Sequence, residues 1–386
     1  MTPFPPTGLT NGTTYYYVVT AVHPGGESGA SAQVSATPED TSHPVVLDDT
    51  FGVDGIALIE IIAPVGGGIL RSRAHDIAIQ SDGKIVAAGS CGNKEAIAVV
   101  RCTADGSLDT TPGEDWIVTT QLGLFEDEAR GIAIQSDGKI VVPGYSNNGT
   151  DSDIAVVRYT ADGSLDTTFG AGGIVTTPIG SSNDEAYGIA IQSDGKIVVA
   201  GSARGTSSGG STAHYLTVVR YTEDGRLDTD FDVDGIVMTA MMTTPPSIAI
   251  QADGKIIVAG STLGASGVNI YLARFAADGT LDTTFGSGGT ALTPTEGKDG
   301  GTQGLAIQPD GKIVVAGTFA VSKDETFIVV ARYTSEGSLD TSFDSDGLVI
   351  GPDGYFASDL ALQPDGKIVL GGYTTPQNDM VLMRYE

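Results

Sequence analysis

The chain is poor in cysteine, histidine and positive charge. Two cysteines in 386 residues, Cys91 and Cys102, exclude a disulfide framework and a Cys-rich zinc site. Four scattered histidines (His23, His43, His75, His214) do not make a His-based metal centre. Lys and Arg number 20 against 48 Asp and Glu, a formal charge of −28. So acidic a chain repels phosphate backbones and anionic membranes, which argues against nucleic acid as a partner. Long apolar runs are missing too. The longest, about Ile56 to Val65, is broken by Glu60 and is too short to span a bilayer. No basic-then-apolar leader stands at MTPFPPTGL, and the chain reads as beginning inside a domain. No stretch shows helical apolar periodicity with caps.

Glycine, by contrast, is abundant: 54 of 386 residues, about twice ordinary usage. Without collagen periodicity this points to many tight turns between short strands. Apolar residues make up 40 %, enough for a large core.

The chain repeats itself. Asp-Gly-Lys recurs at Asp82, Asp137, Asp194, Asp253, Asp310 and Asp365, spaced by 55 to 59 residues. Leu-Asp-x-(Thr/Ser/Asp)-Phe keeps the same rhythm at Leu47, Leu165, Leu227, Leu281 and Leu339, with Pro112 replacing Phe in the copy at Leu108. A third marker is an apolar run closed by Arg101, Arg158, Arg220, Arg274, Arg332 or Arg384. There are six copies of one unit.

Each unit reads as four strands. GIAIQ is a short strand, Asp-Gly a tight hairpin turn whose two residues tolerate positive φ, and KIVVAGS the second strand. IAVVRYT is the third strand and, after a long Gly/Asp turn, GIVTT is the fourth. Repeated four-stranded units of this length are blades of a β-propeller, which hides its sheet edges. The fold class is therefore all-β, a six-bladed β-propeller over residues 47–386. The Ala-bearing GIAIQ strand suits the crowded axis. A lone outer strand at about Gly55 to Glu60 is expected to complete the last blade, which otherwise ends after Met380 to Tyr385.

The run GIAIQSDGKIVVAGS…IAVVRYTADGSLDTTFGAGG resembles the delta-60 repeat family of bacterial β-propellers over nearly nine-tenths of the chain. That resemblance implies a propeller on a secreted or surface-associated bacterial protein and assigns no catalytic residue. Residues 1–40, LTNGTTYYYVVTAVHPGGESGASAQVSATP, resemble the last strands of a fibronectin type III domain, with Leu9, Gly12, Thr13 and Tyr15 at its tyrosine corner. Residues 41–46, overlapping PEDTSHP (Pro38 to Pro44), read as a linker.

Residues repeated six times are frame: the Asp-Gly-Lys turns, the strand-three Arg, the Leu-Asp turns and the Gln ring from Gln80 to Gln363. Function belongs where copies disagree. The loops between strands two and three and those between blades vary, and in a propeller both lie on one face. Just before each inner strand stand His75, Arg130, Tyr187, Pro246, Gln303 and Ser358, expected to ring the channel mouth. Arg73, Glu128, Glu185 and Tyr355 stand just upstream. Such mixed groups converging on one mouth make a ligand site. A second candidate is the acidic turn Asp228, Asp230, Asp232 and Asp234, whose alternate carboxylates before Gly235 suit calcium. It lacks an EF-hand's closing Glu, because Met241 stands there. Cys91 and Cys102 fall at opposite ends of one hairpin, roughly 20 Å apart at about 3.3 Å per residue, too far for a bridge.

The expected function is a non-enzymatic extracellular or cell-surface binding or adhesion module, its partner a protein or glycan. The alternatives are a propeller lyase or hydrolase acting on a glycan or lactone through His75, Glu128, Tyr187 and Glu185, or a spacer in a surface layer.

Overall fold

The computed structural model describes residues 50–386 except 52, 54–56, 62–70, 93–95, 112–115, 124, 181, 207–211, 265–266, 296–298, 323–324, 375–379 and 386, and four short strands before them. The chain divides into Met1–Asp49 and Thr50–Glu386. In the first unit β1 (Tyr15–Tyr17) pairs with β4 (Val34–Ala36), and β2 (Val22–His23) with β3 (Gly26–Glu27). The expected linker, and the marker Leu47-Asp48 with it, lie outside the described residues.

The second unit is a six-bladed β-propeller, and among the described residues it holds no helix. The first blade is β5 (Ser72–Ile79), β6 (Ile85–Cys91), β7 (Ala96–Cys102) and β8 (Ile117–Thr120). The second has β9 (Asp127–Ala129) and β10 (Ala133–Ile134) sharing the inner position, then β11 (Ile140–Asn147), β12 (Ser152–Tyr159) and β13 (Ile174–Thr177). The third is β14 (Asp184–Ile191), β15 (Ile197–Thr206), β16 (Thr212–Tyr221) and β17 (Ile236–Met241). The fourth is β18 (Ser247–Ile250), β19 (Ile256–Leu263), β20 (Val268–Phe275) and β21 (Thr290–Pro294). The fifth is β22 (Asp299–Ile307), β23 (Ile313–Ala320), β24 (Thr326–Tyr333) and β25 (Leu348–Asp353). The sixth is β26 (Tyr355–Leu362), β27 (Ile368–Thr374) and β28 (Met380–Tyr385). Every strand pairing in the blades is antiparallel and, apart from β9 with β11, joins neighbours in sequence.

Two expectations are corrected. Asp-Gly is not a two-residue turn with both residues left-handed. The first copy is a four-residue turn closed by Gly83 N–H to Gln80 O, in which Gly83 has φ +85° while Asp82 stays right-handed. The Asp82 carboxylate explains this, since it accepts the Lys84 N–H at 3.2 Å. Second, residues 57–61 form no strand. Ile61 instead packs on Cys91 and Ala98 of the first blade, so burial of this apolar residue wins over edge pairing with β28.

The core lies between blades. Val198, Leu216 and Phe231 of the third blade pack on Val258, Ala273 and Phe275 of the fourth, and similar clusters join the first blade to the second, the second to the third, the fourth to the fifth and the fifth to the sixth. The six-fold frame fastens these layers. Arg158 is 2 % exposed; its Nε donates to Asp166 at 2.9 Å, its face lies 4.6 Å over the Phe169 ring, and its Nη1 donates to Glu223 O in the next blade. Arg101, Arg220 and Arg274 repeat the pattern on Asp109, Asp228 and Asp282 and on the carbonyls of Ala161, Ala277 and Ser335. Lys139 adds a second cation to Asp166 at 3.6 Å.

Five of the six inner strands carry an extra residue; the described ladder of β18 with β19 has none. The register slips between Ala74 and Asp76, Ala186 and Gly188, Thr302 and Gly304, and Ala357 and Asp359. In the second blade, Arg130 and Gly131 both donate to Pro143 O. The bulged residues are thus His75, Arg130, Tyr187, Gln303 and Ser358, turned out of the pleat. Opposite each bulge the second strand carries glycine, because the chains nearly touch. A Cβ on Gly144 would stand 1.9 Å from Glu128 O.

Candidate active site

The bulges of the first three blades bring their side chains together. His75 Nε2 lies 2.6 Å from Glu128 Oε1, with the ring turned off the hydrogen-bond axis. Glu128 Oε2 meets Arg130 Nη2 at 3.1 Å and accepts the Tyr145 hydroxyl at 2.7 Å. The Arg130 guanidinium lies 5.8 Å from the ring centres of both Tyr145 and Tyr187. The Tyr187 hydroxyl donates to Glu185 Oε2 at 2.7 Å. Five of the residues expected at the mouth, His75, Glu128, Arg130, Glu185 and Tyr187, therefore form one constellation built from three blades.

Burial divides their roles. Glu128 is 1 % exposed and cannot meet a ligand itself. It holds His75 and Arg130 in place. With the Nε2 proton turned to Glu128, the imidazole keeps Nδ1 as its acceptor. Arg130 Nε is buried with no acceptor among the described residues, a donor waiting for one. Burial first, and the adjoining carboxylates second, hold the Tyr145 and Tyr187 hydroxyls well above the ordinary phenol range. At neutral pH both are proton donors. Asp127 and Asp184, beside the two glutamates, do other work. Asp127 accepts the N–H groups of Leu122 and Gly123, and Asp184 those of Ile179 and Gly180, so they tie down the blade-to-blade loops.

The remaining expected residues fall elsewhere. Gln303 Oε1 accepts Thr318 N–H and serves its own blade. Ser358 is an exposed bulge residue of the sixth blade, and Tyr355 packs into the core between the fifth and sixth blades. Arg73 is exposed beside residues 57–61 on the first blade. Tyr145 was not foreseen. Its signal is a departure from the repeat: Ser90, Ser202, Ser261 and Thr318 stand where the second blade has Tyr145.

The acidic turn does not converge. Asp228 is engaged by Arg220 at 2.7 Å and Lys196 at 3.0 Å, and Asp234 accepts Ile236 N–H. Asp232, at φ +50°, takes the left-handed place that Gly170 and Gly286 fill in other copies, and its N–H donates to Asp278 O. Among the described residues no three His, Cys, Asp or Glu side chains are grouped to hold a metal ion. Cys91 and Cys102 form no disulfide and sit at opposite ends of their hairpin, paired with Ala96 and Ile85.

Fold and frame define a repeat β-propeller with a polar mouth. The chain belongs to the family described as domain of unknown function (DUF5122) beta-propeller, whose model matches residues 80–111, 135–169, 192–231, 251–285, 308–343 and 363–386, just over half of the chain. No curated protein matches in sequence. Among solved structures, a protein of unknown function from Dyadobacter fermentans is similar at 13 % identity and TM-score 0.43, over 84 % of this chain and 96 % of that one. An ulvan lyase of polysaccharide lyase family PL25 is similar at 11 % and 0.47, over 80 % and 77 %. An α-L-arabinofuranosidase from Lactobacillus brevis is similar at 11 % and 0.38, over 82 % and 91 %. These likenesses show the fold alone. The expectation that the chain is no enzyme is nonetheless corrected. The structures similar to this chain include polysaccharide lyases and a glycosidase.

Proposed function

We propose that the protein is a propeller lyase that cleaves a uronate-containing glycan at the channel mouth. The observation that carries this reading is the constellation of His75, Glu128, Arg130, Tyr145, Tyr187 and Glu185. Elimination needs a base, a proton donor and a cation for the carboxylate that acidifies the neighbouring C–H. Arg130 offers that cation with an unpaired donor. His75 takes the proton from the carbon beside the carboxylate. The electron pair forms the C=C bond as the C–O bond to the next sugar breaks, and Tyr187 hands its proton to the leaving oxygen. Glu185 positions the phenol, and Glu128 positions base and cation. A hydrolase would need two carboxylates free to face the bond, and Glu128 is buried under three partners. A polymer of this kind is met outside the cell, so an extracellular or bacterial cell-surface location goes with the reading.

The test is incubation with polymers of glucuronate, galacturonate, mannuronate and iduronate. The expected result is the ultraviolet absorbance of an unsaturated uronate on at least one of them, abolished in His75→Ala. New reducing ends without that absorbance would make the enzyme a hydrolase instead. No product from any polymer would overturn both.

A further inference from the structure

Phe356 and Tyr373 break the repeat on the last blade. They pair across β26 and β27, directly beside the close contact of Ala357 with Gly372. That register is the one Glu128 and Tyr145 hold in the second blade, beside Ala129 and Gly144. Arg73 and Ser90 hold it in the first blade, and Glu185 and Ser202 in the third. The same level of the propeller thus carries the two glutamates of the constellation on blades two and three and an aromatic pair on blade six. In the fifth blade it carries only Gly301 and Thr318.

The two rings lie parallel, 4.9 Å between centroids and 5° between planes, and Tyr373 is 39 % exposed. Their neighbours Tyr355 and Ala357 point into the core against the fifth blade. Alternation along the strand turns Phe356 to the opposite face of β26 from Tyr355 and Ala357. On the inner strands, Asp359 of the sixth blade stands near enough for its charge to help raise the pKa of Asp76 in the first. A partly exposed, parallel pair of rings is costly to leave in water, and its flat apolar face suits the C–H face of a pyranose.

We infer that Phe356 and Tyr373 form a platform for a second sugar unit, so that the substrate is a polymer lying across the mouth from the sixth blade to the third. The occupant is a pyranose of the chain whose uronate sits on Arg130, and the inference rests on the glycan reading above. The platform sets the preference for long chains and plays no part in the bond broken.

The experiment measures binding and turnover in the full chain with two probes, polyglucuronate and a glucuronate trisaccharide. Binding is followed by calorimetry in His75→Ala, and turnover in the active background. Phe356→Leu/Tyr373→Leu keeps apolar volume and removes both rings. The platform predicts polymer binding weakened about tenfold, with a matching rise in KM, an unchanged kcat, and trisaccharide binding unaltered. Polymer affinity left intact would overturn it, as would equal losses on both probes with a lowered Tm, since the pair would then be seam packing. Ring-dependent polymer binding without any unsaturated product would keep the platform and overturn the lyase chemistry. No binding of polyglucuronate by the parent chain would overturn the platform itself.

Discussion

At the scale of single residues, Glu128 is the member of the constellation whose role is easiest to separate from contact with substrate. It is buried, accepts from Tyr145 and pairs with His75 and Arg130. Its work is orientation, by holding the imidazole proton on Nε2 and the guanidinium between two phenol rings. Glu128→Gln keeps the shape and loses the charge. We expect kcat to fall by about 10²-fold or more, the size of an acid–base contribution, with a smaller change in KM. Residues acting as one unit are non-additive, so adding Glu128→Gln to His75→Ala should cost almost nothing further. Additive losses in that cycle would show that Glu128 acts independently of His75. The Asp228–Asp234 turn teaches the opposite lesson at the same scale. A row of carboxylates met in sequence looked like a ligand set, but an Arg–Lys clamp and a left-handed backbone position account for two of its members.

At the scale of the element, the bulge in five of the six inner strands is the device that makes the mouth. It was legible only in part. The repeats located His75, Arg130 and Tyr187 by their disagreement, yet placed them before the inner strand. They lie within it, because the ladder resumes beyond the extra residue and runs on to Ser72 and Asp184. A bulge has no residue signature of its own. Its trace is the glycine opposite, which in sequence reads only as another small strand residue. Six-fold markers, by contrast, fixed blade number and strand order, since each is a hairpin turn or a buried ion pair repeated at one spacing. What no repeat could announce was Tyr145, or the pairing of Glu128 with His75 across two blades. The glycine gives a direct test. In Gly144→Ala the new methyl meets Glu128 O at 1.9 Å, and strand β9 must move. We expect a loss of about 2–4 kcal/mol in stability, in the range of forced core overpacking and backbone strain. The loss of turnover should persist at temperatures where the variant is still folded, because Glu128 is carried on the displaced strand. Full activity in a folded Gly144→Ala would refute the link between bulge and site.

At the scale of the whole molecule, the frame and the seam respond to pH in opposite directions. Asp109, Asp282 and Asp340 are held well below the ordinary carboxylate range. Burial opposes this at Asp109, while hydrogen bonds from the neighbouring Thr or Ser and the Arg–Lys pairs overcome it. A depressed group stabilises the fold above its unfolded pKa and loses that contribution as pH falls, so the ring of ion pairs weakens in acid. Asp76 behaves in reverse. It stands where Gly131, Gly188 and Gly304 stand in other blades, and its carboxylate accepts the N–H groups of Ile77 and, across to the second blade, Ile132. Burial, and then the Asp359 carboxylate, push its pKa up to about 6. Between the ordinary value near 4 and about 6 the folded protein binds this proton and the unfolded chain does not, so stability rises as pH falls through that window. The two trends cross, and a series of thermal melts from pH 3 to 8 should peak near about pH 5. Asp76→Asn removes the group shifted furthest, so its melting temperature should be flatter from about pH 5 to 8 while the acid limb, which belongs to the ring of ion pairs, stays as steep. Asp359→Gly removes the neighbouring charge together with a second raised carboxylate, and should also leave a shallower slope in place. A parent chain whose stability keeps rising from pH 5 to 8 would show that the seam carboxylates do not govern the fold, and that the ion-pair frame alone sets its response to pH.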